Sequence, residues 1–311
     1  MVGECSYKGD GDSFMQLFRL AAGAAFALLV AGCSSSGVDV SPLIAQASSE
    51  KAAKAPEKRK PSTVRSLDEL LLFQPTKYPK GDWEPKGLEF ADAWIKSGDG
   101  TQIHGWYCPA ENPKAVVLYC HGNGGNLAGR AATLQFLQEK MGVSVLIFDY
   151  RGYGRSEGKA TVAGAIADAR AARTELAKLA KVNEAEIVLM GRSLGGALAI
   201  QLAADASPRG LIIESSFSSL REVASEHFPK LAWVVAKNKL NSAQAIAEVR
   251  CPLLQCHGDA DRVISYESGR RLFAAAKHPK RFITLAGVGH NDRPTREYYD
   301  AMADFLDFLP K

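Results

Sequence analysis

From residue 88 onward the apolar positions fall into short runs whose period changes along the chain. Residues 88–97 and 101–108 alternate apolar and polar side chains around Gly98-Asp99-Gly100, which predicts a β-hairpin. Ala115-Val116-Val117-Leu118-Tyr119-Cys120 is apolar throughout, as a strand buried on both faces must be. The period then switches repeatedly between helix and strand. A helix near 126–140 precedes a strand at 143–149, and an alanine-rich helix near 161–181 precedes a strand at 186–191. A helix starting just after Ser193 precedes a strand at 211–214. Strand 252–257, a helix near 266–277, strand 282–286 and a helix near 295–309 close the series. An antiparallel start followed by βα units predicts an α/β fold, a mostly parallel eight-stranded sheet with helices on both faces. Ligands of such sheets gather at the carboxyl ends of the strands.

The rhythm stops between 215 and 249, where Phe217, His227, Phe228, Leu231, Trp233 and Val234 lie in a stretch too long for an ordinary connection. We expect a small helical cap there. The folded domain is expected to span 67–311. Before it, residues 34–66 are rich in Ser, Ala, Lys and Pro without apolar periodicity, and 33–66 read as a flexible tether. Upstream lies one positive charge at Arg19, an apolar run at 20–31 and a small-residue site, the parts of a secretory signal over 1–32. Residues 1–14 fit a signal start poorly, so Met15 is an alternative initiator. Val30-Ala31-Gly32-Cys33 resembles the lipobox of bacterial lipoproteins. That resemblance implies lipidation of Cys33 and a lipid membrane as a partner. It also implies an exported protein, with Ser34 favouring the periplasmic face of the outer membrane.

Composition narrows the chemistry. The 311 residues are 46% hydrophobic and 23% charged, with a net charge of +4 concentrated towards the N-terminus. No basic face is spread over the folded part, which argues against nucleic acid as a partner. Cys108, Cys120, Cys251 and Cys256 form no C-x-x-C pair, so we expect free core thiols, no metal and no redox site. Gly122-Asn123-Gly124-Gly125 with Asp149 imitates a dinucleotide fingerprint. The preceding strand pair and the absence of Tyr-x-x-x-Lys speak against it, and no cofactor is expected.

The candidate chemistry centres on Gly191-Arg192-Ser193-Leu194-Gly195. A serine in a G-x-S-x-G frame between a strand and a helix sits on a strained turn that presents its hydroxyl. Backbone amides from the loop after the third strand and from the residue after the nucleophile, Asn123 and Leu194, would face a developing oxyanion. His290, in the glycine-rich loop beyond the last strand, has a perch suited to a general base. The other histidines read as structural: His104 in a strand, His278 near a helix end, His121 and His257 before glycines at strand ends, His227 in the cap. For the acid, spacing leaves Asp259 and Asp261 level.

Five ordered motifs resemble those of the α/β-hydrolase superfamily, most closely its serine aminopeptidase S33-like, Bem46/ABHD-type branch. They are His121-Gly122-Asn123, Asp149 to Ser156, Gly191 to Gly196, His257 to Val263, and Gly287 to His290. The resemblance implies an α/β-hydrolase fold and a triad of Ser193, Asp261 and His290, and so settles on Asp261. It also implies that the loop from Asp149 to Ser156 braces the site rather than reacting. The expected reaction is hydrolysis of an acyl ester or thioester through an acyl-enzyme. The rivals are an S33-like aminopeptidase or amidase using Glu222 and Glu226 on a substrate amino terminus, and an inert lipoprotein scaffold.

Overall fold

The structure is a computed structural model that describes Glu69, residues 72–227, Pro229 and residues 239–310. The expected signal over 1–32, Cys33, the tether over 33–66, and Phe228, Leu231, Trp233 and Val234 of the cap lie outside the described residues.

Strand β1 (Gln74–Pro75) precedes the antiparallel hairpin of β2 (Ala91–Lys96) and β3 (Gln102–Cys108). Then come β4 (Val116–Cys120), β5 (Gly124–Gly125), α1 (Ala131–Glu139), β6 (Ser144–Phe148) and α2 (Val162–Ala180). β7 (Ile187–Arg192), α3 (Leu194–Asp205) and β8 (Gly210–Glu214) follow. α4 (Leu220–His227) and α5 (Ser242–Ile246) occupy the expected insertion. β9 (Leu253–Gly258), α6 (Tyr266–Ala275), β10 (Lys280–Leu285) and α7 (Arg296–Phe308) complete the domain.

Eight strands form one sheet in the order β10-β9-β8-β7-β4-β6-β3-β2. Pairing is parallel except where β3 runs antiparallel to both β2 and β6. The period-two alternation of side chains divides the core into two layers. Leu118 and Cys120 of β4 join Leu189, Ile213 and the inner faces of α2 and α3 on one side. Val117 and Tyr119 join Met190, Ile212, Cys256 and α7 on the other. Nine of the residues of α3, from Leu194 to Ala203, are buried, consistent with its run of Gly, Ala and Leu. Cys251 lies just before β9, and all four described cysteines are buried free thiols.

One element has no signal in the hydrophobic pattern. β1 and β5 form a separate two-stranded parallel sheet, pairing Gln74 with Gly124 and Pro75 with Gly125. Two-residue strands carry no period. They matter because β5 belongs to the glycine loop beside Ser193.

Candidate active site

Ser193 closes the turn between β7 and α3 with φ 54° and ψ −120°, a conformation L-residues rarely adopt. The flanking glycines make that turn possible by removing side chains. A Cβ on Gly191 would lie 2.3 Å from the Gly195 carbonyl oxygen, and one on Gly195 would lie 1.9 Å from the Cys120 carbonyl oxygen. The Ser193 amide donates to the Glu214 carbonyl at 2.9 Å, tying the turn to the next strand. Leu194 is the first residue of α3, so its amide is among those a helix leaves without an internal partner.

His290 Nε2 lies 3.2 Å from Ser193 Oγ, and His290 Nδ1 lies 2.7 Å from Asp261 Oδ2. A carboxylate accepts, so Nδ1 carries the ring proton and Nε2 offers its lone pair to the serine hydroxyl. Asp261 Oδ1 accepts the Val263 and Ile264 amides at 2.8 and 2.9 Å. Burial alone would push this carboxyl up, but hydrogen bonds from His257 and His290, the electrostatic pull of the His290 ring and the Ile264 amide together hold it below the usual carboxylate range. Asp259, level with Asp261 by spacing, turns elsewhere. Its Oδ1 accepts the Gly287 amide at 2.7 Å and so staples the loop of the acid to the loop of His290.

Two histidines read as turn residues have more specific places. His257 Nε2 donates to the Ile264 carbonyl at 3.0 Å and lies 3.4 Å from Asp261 Oδ2. The four-residue spacing of His257 and Asp261 was the available signal. His121 Nδ1 donates to the Gly122 carbonyl at 2.7 Å, and its Nε2 lies 3.4 Å from Asp149 Oδ1. Asp149 is fully buried and accepts the Leu127 amide at 2.8 Å, a placement that does not suit a ribose hydroxyl.

The loop that carries Asn123 lies against the serine, since a Cβ on Gly122 would come within 3.8 Å of Ser193 Cβ. The neighbouring loop from Asp149 to Ser156 supports it. Tyr150 Oη donates to the His121 carbonyl at 2.7 Å and Tyr153 Oη to the Asn123 carbonyl at 2.6 Å. Arg151 anchors the loop's far side: its Nη1 donates to Asp99 at 2.7 Å, its Nη2 to Asp168 at 2.7 Å and to Ser97 at 3.1 Å.

In the insertion, half-buried Glu222 and exposed Glu226 both pair with neighbouring side chains. Glu222 pairs with Arg271 and accepts from Ser218; Glu226 lies 3.4 Å from Arg271 and accepts from Ser265 at 2.8 Å. His227 Nε2 donates to the Val263 carbonyl at 2.8 Å, joining α4 to the loop of the acid. Burial pushes the Cys108, Cys120 and Cys251 thiols up to about 12, so they stay protonated and unreactive. Among the described residues no His, Cys, Asp or Glu cluster is arranged to hold a metal ion.

A mostly parallel sheet with a strained serine turn at the end of its central strand defines an α/β-hydrolase. The comparisons with known proteins agree. Residues 111–244 match the family model described as serine aminopeptidase, S33. An uncharacterized Mycobacterium tuberculosis protein is 38% identical over 224 residues, 69% of this chain and 78% of that one. The α/β-hydrolase domain-containing protein WAV2 of Arabidopsis thaliana is 30% identical, over 66% of this chain and 73% of that protein. Among solved structures, an esterase of Pyrococcus furiosus shares the fold with a TM-score of 0.64 at 21% identity, covering 76% of this chain and 98% of that one. The chain belongs to the α/β-hydrolase superfamily.

Proposed function

We propose that this protein is a serine hydrolase that cleaves an acyl ester or thioester through an acyl-enzyme. The observation that carries the reading is the continuous hydrogen-bonded path from Asp261 through His290 to the hydroxyl of Ser193. In this reading Ser193 Oγ attacks the acyl carbonyl while its proton passes to His290 Nε2. Asp261 keeps the proton on Nδ1 and balances the positive charge the ring gains. The Asn123 and Leu194 amides stabilise the oxyanion, each contributing about 3–4 kcal/mol. His290 then protonates the leaving group, and water repeats the sequence to release the acid.

The choice of ester over peptide rests on the insertion. Glu222 and Glu226, the carboxylates an aminopeptidase would need for a substrate amino terminus, are engaged by Arg271, Ser218 and Ser265. Solved esterases share the fold, among them an acetyl xylan esterase from Paenibacillus with a TM-score of 0.60 at 20% identity, covering 74% of this chain and 86% of that one.

The test is hydrolysis of p-nitrophenyl esters and acyl thioesters by the wild type and by Ser193→Ala, with fluorophosphonate labelling beside it. We expect the wild type to turn over and be labelled, and the variant to do neither while remaining folded. Undiminished turnover by Ser193→Ala would remove the nucleophile. Faster release of amino-acid amides than of esters would restore the aminopeptidase. The sequence around Cys33 supports a second part, export and attachment to a membrane through a lipidated Cys33. If Cys33→Ser fractionates with membranes as the wild type does, that part fails.

A further inference from the structure

The loop after β4 runs Gly122-Asn123-Gly124-Gly125. Three glycines in four residues leave the backbone free to rotate, yet an amide that stabilises an oxyanion must be fixed before the reaction begins. Both peptide planes that meet at Asn123 are held from outside the loop. The plane carrying the Asn123 N–H also carries the Gly122 carbonyl, and His121 Nδ1 donates to that oxygen at 2.7 Å. In a trans peptide the two groups point oppositely, so pinning the oxygen aims the N–H.

The next plane is held from much farther away in sequence. The Asn123 carbonyl accepts from Tyr153 Oη at 2.6 Å and from the Gln74 amide at 3.2 Å, and that amide also lies 3.1 Å from Tyr153 Oη. The Asn123 side chain returns the contact by donating to the Leu72 carbonyl at 3.0 Å. The Thr76 amide donates to the Gly125 carbonyl at 2.8 Å.

On its other edge the segment 72–78 meets the loop that bears Tyr153. The Gly154 amide donates to the Thr76 carbonyl at 3.0 Å, the Tyr78 amide to the Gly154 carbonyl at 3.1 Å, and Lys77 Nζ to the Ser156 carbonyl at 2.8 Å. Phe73, buried, packs edge-on against the Tyr153 ring at 6.4 Å. Residues 72–78 therefore lie as a strap between two loops, one holding the candidate oxyanion donor and the other bracing it.

We propose that the strap 72–78, acting through Tyr153, is the device that sets the Asn123 amide for transition-state stabilisation, with Tyr153 as its positioning residue. The proposal rests on the oxyanion role given to Asn123 above. It also makes the stretch immediately downstream of the expected tether a working part of the catalytic site rather than a spacer.

The experiment uses the full chain, a p-nitrophenyl ester and a trifluoromethyl ketone, which adds to the serine to form a stable oxyanion. Tyr153→Phe removes the hydroxyl and keeps the ring. We expect kcat to fall about tenfold with KM unchanged, and trifluoromethyl ketone affinity to fall by the same factor, short of the loss from deleting a donor outright. Asn123→Ala removes the tie to Leu72 and keeps the main-chain amide. It should lower kcat severalfold, and the double variant should lose less than the product of the two, because both act on one residue.

A Tyr153→Phe protein that melts lower but keeps the wild-type kcat and ketone affinity overturns the proposal, as does a strictly multiplicative double variant. Failure of the underlying reading looks different. In that case the wild type itself neither hydrolyses the ester nor reacts with a fluorophosphonate at Ser193.

Discussion

Two carboxylate clusters serve this domain in opposite ways. Around Arg151, every party is consumed by another. The guanidinium, only 8% exposed, meets Asp99 and Asp168, while the Arg151 amide also donates to Asp168 at 2.9 Å. Hydrogen bonds from the guanidinium hold the Asp99 carboxyl down to about 2. Around Asp261 the carboxylate is as buried as Asp168, but one of its partners is left open. His290 binds Asp261 on one side and presents its second nitrogen to Ser193 on the other. A closed cluster can only hold; an open one can pass a proton.

The comparison breaks most visibly at Asp261. Asp261→Asn should lower kcat by roughly 10⁴-fold by favouring the wrong tautomer of His290, with the fold retained by circular dichroism. Near-normal turnover would place Asp261 with Arg151 among the merely structural groups. Arg151→Met should do the reverse. It leaves Asp168 buried without its cation and should cost about 3–5 kcal/mol in denaturant melts, while the folded fraction turns over within a few-fold of wild type. Asp259→Asn keeps an acceptor for the Gly287 amide, so an effect of a few-fold at most is expected. A large loss there together with a mild Asp261→Asn would exchange the two assignments.

The smallest expected effect is one of pH. The folded Asp261 carboxyl lies below its ordinary value of 3.8, so its ionised form stabilises the native state. That contribution is complete above 3.8 and is lost as pH falls through the lower folded value. The stability difference between wild type and Asp261→Asn should therefore stay level above that range and shrink below it. A difference that grows on acidification would mean the carboxyl is not held ionised by its neighbours.

The parts of the site that could be read from sequence are those built locally. Ser193 announces itself because the apolar run of β7, two obligatory glycines and a helix lie within a few residues of it. His290 stands out for its glycine-rich loop just past a strand. Asp259 and Asp261 could not be separated by spacing, because what distinguishes them is which carboxylate meets the Val263 and Ile264 amides; the family motif made the choice. His257 reads as a turn residue from its place before a glycine, although the sequence also shows its four-residue spacing to Asp261. The strap at 72–78 leaves no trace in the pattern, since most of its ties use its main-chain groups and reach residues some 50 to 80 positions further on. Hydrophobic periodicity reports burial of side chains and is silent on such contacts.

The backbone of Ser193 sets selection for endurance against selection for turnover. Glycine accepts φ 54° and ψ −120° without the strain of about 1–3 kcal/mol that a side chain incurs there. Ser193→Gly should therefore melt higher than the wild type and hydrolyse nothing, and a variant that melts lower would show the turn to be unstrained. A library of this protein screened only for survival of heat would drift towards glycine at 193. On the proposed reading, only a screen for hydrolysis would hold serine there.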